Sequence, residues 1–381
     1  ARVPRPVVTD APTDQSTPSA LEVLRARGVS PLLLASLFSV MAAMIQITAL
    51  GKQLYDLSHR DLDLGLLGLA EFAPALLLMT VSGTIADRFD RRRVVAAGLA
   101  VEVCASAALA WYATSGNRAV WPIFSLIIVF GIGRAFVSPS LRAMPADLAP
   151  DGGLPRVVAF NVACWQSAMI IGPVIAGFLY VGSTSWPFIA AALLSGVGMV
   201  LIGFTPRTVR HSDDAALDHE HEAALLDLGD EYRPGESLDI LGEEAAGIDE
   251  GASNDGTLRG RWSETFEGFR VIRRNPALLG AISLDLFAVL FGGAVALLPA
   301  IAENRLHVGA VGLGWLRAAG GIGAALVTII VSARPIRRHV GPIMFAAVAG
   351  FGLFTIVLGL TRSFAIAFAA MFLLSAADSV S

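Results

Sequence analysis

Ten apolar runs, each long enough to cross a lipid bilayer, constrain this chain more than any other feature. They lie at about residues 31–57, 64–86, 94–114, 120–143, 156–181, 185–204, 277–301, 309–332, 341–360 and 363 to the end. A helix rises 1.5 Å per residue, so about 20 apolar residues cross a hydrocarbon core of about 30 Å. The runs predict an all-α polytopic membrane protein. Charged residues make up 16% of the chain, against about 25% in soluble domains. That is too little to cover a water-facing surface, and it argues against a soluble enzyme. The 38 glycines suit helices packed closely in lipid.

Basic residues set the orientation. Counted from the N-terminal tail, alternate connections carry 21 Lys and Arg, and the intervening ones carry 4. The positive-inside rule then places the N-terminus in the cytoplasm. Residues 1–30 hold no apolar core and read as a cytoplasmic tail rather than a signal peptide. Lys52, Arg134 and Arg317 are left over, inside spans.

The segment from His211 to Asp255 holds 15 of the 32 acidic residues and a single basic one, Arg233. Its composition is that of a solvated linker, drawn at residues 205–257. After it, Trp262, Phe266 and Phe269 recur at helical spacing among arginines, predicting an interfacial amphipathic helix over 258–276. A first bundle is expected at 31–204 and a partial second bundle at 277–381.

Several chemistries find no support. The run His219-Glu220-His221-Glu222 lacks the spacing of a zinc hydrolase, and Cys104 and Cys164 sit in apolar runs, so no metal site is expected. The arginines occupy short loops, which argues against nucleic acid. Lys52 follows Gly51 without the remainder of a phosphate-binding loop, so direct ATP use is not expected. A diphosphate-handling membrane enzyme needs paired aspartates, and the only adjacent Asp pair, Asp213-Asp214, lies in the linker. No cofactor is expected, and the chain reads as a non-enzyme.

At an offset of 246 residues the two halves match. Gly68 falls on Gly314, Arg88 on Arg334, Arg91 on Arg337 and Arg92 on Arg338, while Glu71 falls on Arg317 with opposite sign. The second span thus corresponds to the eighth, and the repeat unit is six helices. Two six-helix halves joined by a long loop are the plan of a rocking-bundle transporter with its substrate between the halves. On that plan the second half lacks two helices, and this 381-residue stretch is expected to insert but not to transport.

Ionisable residues inside spans are functional candidates because a lone charge in lipid is costly. Glu71 lies about 10 Å from the outer end of its span; Glu102 and Asp285 lie about 12 Å from the inner ends of theirs. Arg134 and Asp378 each lie about 21 Å from an outer end. Any of these acids can couple proton entry to substrate exit or form a static buried pair. Gln46, Asn161 and Gln166 are candidate substrate contacts or simply packing contacts between helices.

The segment Gly83-Thr84-Ile85-Ala86-Asp87-Arg88-Phe89-Asp90-Arg91-Arg92-Arg93 resembles the signature of the major facilitator superfamily between its second and third spans. Asp90 stands where a second glycine is usual. Gln53-Leu54-Tyr55-Asp56-Leu57, Gly68-Leu69-Ala70-Glu71-Phe72-Ala73-Pro74 and the span-five element Gly172, Pro173 and Gly177 are similar to the enterobactin-exporter-like branch, also called transmembrane secretion effectors. The resemblance implies that Asp87 meets a helix N-terminus of the other half. It also implies that Gly83, Asp87, Arg88, Arg91 and Arg92 form a conformational latch, with Asp147 as an arginine partner. The fourth and tenth spans would line the cavity, so that Arg134 and Asp378 could face each other.

The resemblance further implies a proton-coupled exporter of a small amphipathic molecule, siderophore-like or drug-like, acting as a monomer in the plasma (inner) membrane. An uptake symporter and a non-transporting sensor or assembly factor are the alternatives. Since the acidic stretch lies outside the repeat, deleting residues 212–255 from the full-length protein is expected to leave insertion and transport near wild type. Efflux from cells at matched membrane levels checks this, and lost activity would make the stretch a regulatory element.

Overall fold

The computed structural model describes residues 18–206, 295–334 and 340–380, without the side chains of residues 79, 80, 84, 86–88 and 340. The linker beyond residue 206, the helix expected at 258–276, Asp285 and most of the seventh span lie outside the described residues. The described residues belong to one compact unit, residues 1–208 with 285–381.

Among them every regular element is a helix: α1 (Ala20–Arg25), α2 (Val29–Ser58), α3 (Asp61–Arg88), α4 (Arg91–Thr114), α5 (Trp121–Leu148), α6 (Leu154–Gly182), α7 (Trp186–Gly203), α8 (Leu298–Asn304), α9 (Gly309–Ala333), α10 (Val340–Leu360) and α11 (Phe364–Asp378). Local chemistry accounts for many of the ends. Ser19 and Glu22 close a capping box on α1, and these bonds hold the Glu22 carboxyl below its ordinary range. Prolines open α5, α6 and α7, where the missing N–H has no intrahelical partner to lose. The Asp90 side chain accepts from the Arg92 N–H at 3.0 Å and starts α4.

By length and composition α2, α4, α5, α6, α7, α9 and α10 can each cross a membrane. α3 is equally long, and Glu71 is the one charge between Asp63 and Asp87. α11 is apolar but has 15 residues.

α2 is the central post. Burial reaches 67% over its most apolar stretch, against 11% for α10. It packs on α6 and α7; α4 packs on α5 and α7, and α3 on α5. Two apolar layers fill this first half. Leu50, Leu54, Leu109, Ile123, Ile127, Phe130 and Phe188 form one toward the Tyr55 end of α2. Leu32, Val95, Leu99, Val137, Met144 and Ile202 form the other toward the Arg91 end of α4.

The second half joins through α9, which lies antiparallel along α6. A Cβ on Gly314 would stand 2.4 Å from the Pro173 carbonyl oxygen, and one on Gly177 2.6 Å from that of Ala310. Further along, Gly321 meets the backbone of Met169. The other face of α9 is equally tight, since a Cβ on Gly323 would stand 2.1 Å from the Phe372 oxygen of α11. Backbone thus meets backbone on both sides of α9, the contact that small residues permit in lipid.

Gly314→Val should therefore lower the thermal unfolding temperature in detergent, at a cost of about 1–3 kcal/mol from overpacking. Gly352→Ala on α10, where an added Cβ meets nothing within 4 Å, should cost nothing. Equal behaviour of the two variants would contradict the tight seam.

Candidate functional site: three levels of charge between the helices

Between the two apolar layers of the first half lies a polar cluster drawn from α2, α4, α5 and α7. Glu102 of α4 is fully buried. Ser195 of α7 donates to its carboxylate at 3.4 Å, and Arg134 Nη1 of α5 stands 3.8 Å from Oε1. That Oε1 has no hydrogen-bond partner among the described residues. Arg134 also donates to Ser39 Oγ at 3.1 Å. The Ser106 hydroxyl lies within hydrogen-bond distance of both the Gln46 side-chain oxygen and the Glu102 carbonyl, the latter at 2.7 Å, and its one proton serves either. Glu102 is thus a carboxylate held by one loose cation and one long hydroxyl bond, in a place sealed from water. Burying a charge with so few partners is expensive, and a proton can remove that charge.

A second polar group links the halves. Arg317 of α9 donates to Thr48 of α2 at 3.4 Å, and its Nε is buried without a hydrogen-bond partner. Glu71 of α3 interacts electrostatically with both Arg317 and Arg134. Among the described residues no ion pair joins Glu71 to Arg317, the positions that the repeat aligns. Gln166 donates to Thr328 of α9 at 3.5 Å, and its own oxygen, like that of Asn161, is buried and unpartnered among the described residues.

At the Arg91 end, Arg91 Nη1 reaches both oxygens of Asp147, at 2.8 and 3.0 Å. Arg92 donates to the Thr205 carbonyl at 2.9 Å. Both contacts stay within the first half: α4 to α5, and α4 to the residue after α7. The backbone of Asp87 and Arg88 forms the last turn of α3, and their side chains lie outside the described residues. A Cβ on Gly83 would meet nothing within 4 Å. Asp378 is exposed at the last residue of α11.

The span-five element is a packing seam. Gly172 admits Met44 of α2, while Pro173 and Gly177 meet the backbone of α9. Among the described residues no group of three His, Cys, Asp or Glu could hold a metal. An apolar groove of about 770 Å³ runs between α3 and α5, walled by Leu69, Leu77, Trp121 and Phe124 with Arg60 and Asp63 as its charged residues. The charged cluster does not line it.

Sequence reasoning missed the third level, at the Tyr55 end. Lys52 of α2, buried, bonds Asp56 one turn on and pairs with Glu303 of α8 at 3.1 Å. Tyr180 of α6 donates to Asp56 at 2.9 Å, and Asn304 of α8 donates to the Tyr55 hydroxyl. The available signal was a lone lysine inside an apolar run with an acid four residues later, a helical pairing distance.

A family model described as Major Facilitator Superfamily matches residues 32–381. Macrolide efflux protein A of Streptococcus pyogenes is 26% identical over 147 residues, 39% of this chain and 34% of that protein. The class C tetracycline resistance protein of Escherichia coli is 31% identical over 144 residues, 38% of this chain and 34% of that one. Quinolone resistance protein NorA of Staphylococcus aureus is 26% identical over 155 residues, 41% of this chain and 39% of that one. The chain thus spans little more than a third of these relatives' length. Among solved structures, a peptide transporter POT in complex with sulfate shares the fold at a TM-score of 0.61 and 14% identity, covering 95% of this chain and 84% of that one. A bacterial homologue of the lysosomal transporter Spinster does so at 0.58 and 16% identity, covering 93% and 72%. The bundle of apolar helices and the family match over all but the first 31 residues converge on one conclusion: the chain belongs to the Major Facilitator Superfamily.

Proposed function

We propose that this protein is a secondary transporter that exports a small amphipathic molecule by alternating access, driven by proton entry. The observation that carries the reading is the sealed Glu102 carboxylate with Arg134 at 3.8 Å. When Glu102 takes a proton, it no longer holds Arg134, which keeps Ser39 and turns its remaining N–H groups to the space between the halves. Glu71, acted on by Arg134 of its own half and by Arg317 of the second, then passes the change across to α9. Loss of the proton restores the pair and resets the half. A group that is charged in one state and neutral in the other is what coupling requires, since only differential interaction shifts a two-state equilibrium.

The efflux proteins to which the chain is similar support export over uptake. The excess of basic residues in alternate loops supports a cytoplasmic N-terminus in the plasma membrane. The Asp87 signature supports a latch at the Arg91 end, in which Asp87 answers a helix N-terminus of the second half while Arg91 and Asp147 fix the frame around it.

The test is proton-driven uptake of macrolide, tetracycline and dye substrates into everted vesicles bearing the full-length protein. Concentrative uptake into right-side-out vesicles would instead indicate symport. Glu102→Gln should lower gradient-driven efflux about tenfold, the equivalent of ~1.4 kcal/mol, while substrate exchange without a gradient persists. Equal loss of both would make Glu102 a structural residue. Asp87→Asn should lower all transport modes about tenfold at unchanged membrane levels, and wild-type rates would remove the latch role.

A further inference from the structure

We propose that Lys52, the sole lysine of the sequence, is the closing ion of the extracellular gate, and that Glu303 is the partner it gives up when the gate opens. The inference rests on alternating access and the cytoplasmic N-terminus as proposed above, but not on the direction of transport or on its coupling ion.

The cluster joins three helices of different halves. Lys52, Asp56 and Tyr55 come from α2, Tyr180 from α6, and Glu303 and Asn304 from α8. The Lys52 side chain is 9% exposed, and its ammonium also stands 5.8 Å over the Tyr180 ring. Close approach is built in, since a Cβ on Gly51 would stand 3.1 Å from Pro299 of α8.

The two ionic arms of Lys52 are unequal. The Asp56 arm is a hydrogen bond within one helix turn, and no movement between halves can break it. Tyr180, itself of the first half, holds the same carboxylate at 2.9 Å. The Glu303 arm crosses between halves at 3.1 Å, yet that carboxylate oxygen lacks hydrogen-bond geometry. Separation of the halves therefore removes only the weaker arm. Lys52 keeps a counter-ion throughout, and Glu303, 42% exposed already, passes into water. A pair that must break in every cycle is cheapest when neither charge is left buried and alone. The Asn304 bond to Tyr55 is the second contact released.

Lys52 has a reactive amine, so its acylation can be read at its own position by peptide mapping. Full-length protein in phosphatidylcholine nanodiscs, without cargo or gradient, is treated with a membrane-impermeant sulfosuccinimidyl ester, and acylation of Lys52 is followed by mass spectrometry. Wild type and Glu303→Asp should label slowly. Glu303→Gln and Asn304→Ala should each label about fivefold faster while remaining monodisperse on size exclusion. In intact cells the same reagent should reach Lys52 of Glu303→Gln from outside. Equal labelling of wild type and Glu303→Gln would overturn the gate, as would acceleration by Asp56→Asn alone, which marks a static pair within α2. Labelling confined to everted vesicles would overturn its extracellular placement. Failure of the efflux assays leaves all these readouts interpretable.

Discussion

The backbone contact between α6 and α9 is the interaction on which the rest of the arrangement depends. Gly314 against Pro173 and Gly177 against Ala310 bring two helices together without intervening side chains. In lipid, apolar burial does not drive helices together; close packing and polar contacts do. Once that seam is set, the register of α9 is fixed to the first half. Arg317 then falls opposite Thr48, and Thr328 falls opposite Gln166.

Charge is distributed by depth in a way that follows from cost. The two end levels pair charges where water is near: Arg91 with Asp147, and Lys52 with Asp56 and Glu303. The middle level keeps Glu102 and Arg134 between two apolar layers, at the longer separation of 3.8 Å. A hydrophobic replacement at such a place is often neutral or stabilising, which supports the coupling role proposed for Glu102.

Much of the architecture was legible in the sequence because span length is set by the bilayer. Apolar runs such as 156–181 and 309–332 anticipate α6 (Leu154–Gly182) and α9 (Gly309–Ala333) closely. What could not be read is rotation about each helix axis. Helices apolar on nearly every face carry no stripe that marks the core. So the sequence could not distinguish Gly172, which meets α2, from Gly177, which meets α9. Nor could it join Lys52 to Glu303, since nothing local links positions in different halves. The arginine cluster after α3 is an exception: Asp147 is expected as an arginine partner, and Arg91 holds both its oxygens.

The seam between α6 and α9 is also unevenly placed along α9. Gly314 lies five residues from the start of the helix and nineteen from its end, or about 7 Å and about 29 Å of axial length. Backbone atoms in direct contact resist sliding, so in the alternating access proposed above, rocking about this level would work as a lever with one short arm and one long arm. A displacement of about 1 Å near Lys52 then corresponds to about 4 Å at the far end of α9. Breaking one short-arm contact of atomic dimensions would sweep the opposite mouth by the width of a small solute's ring.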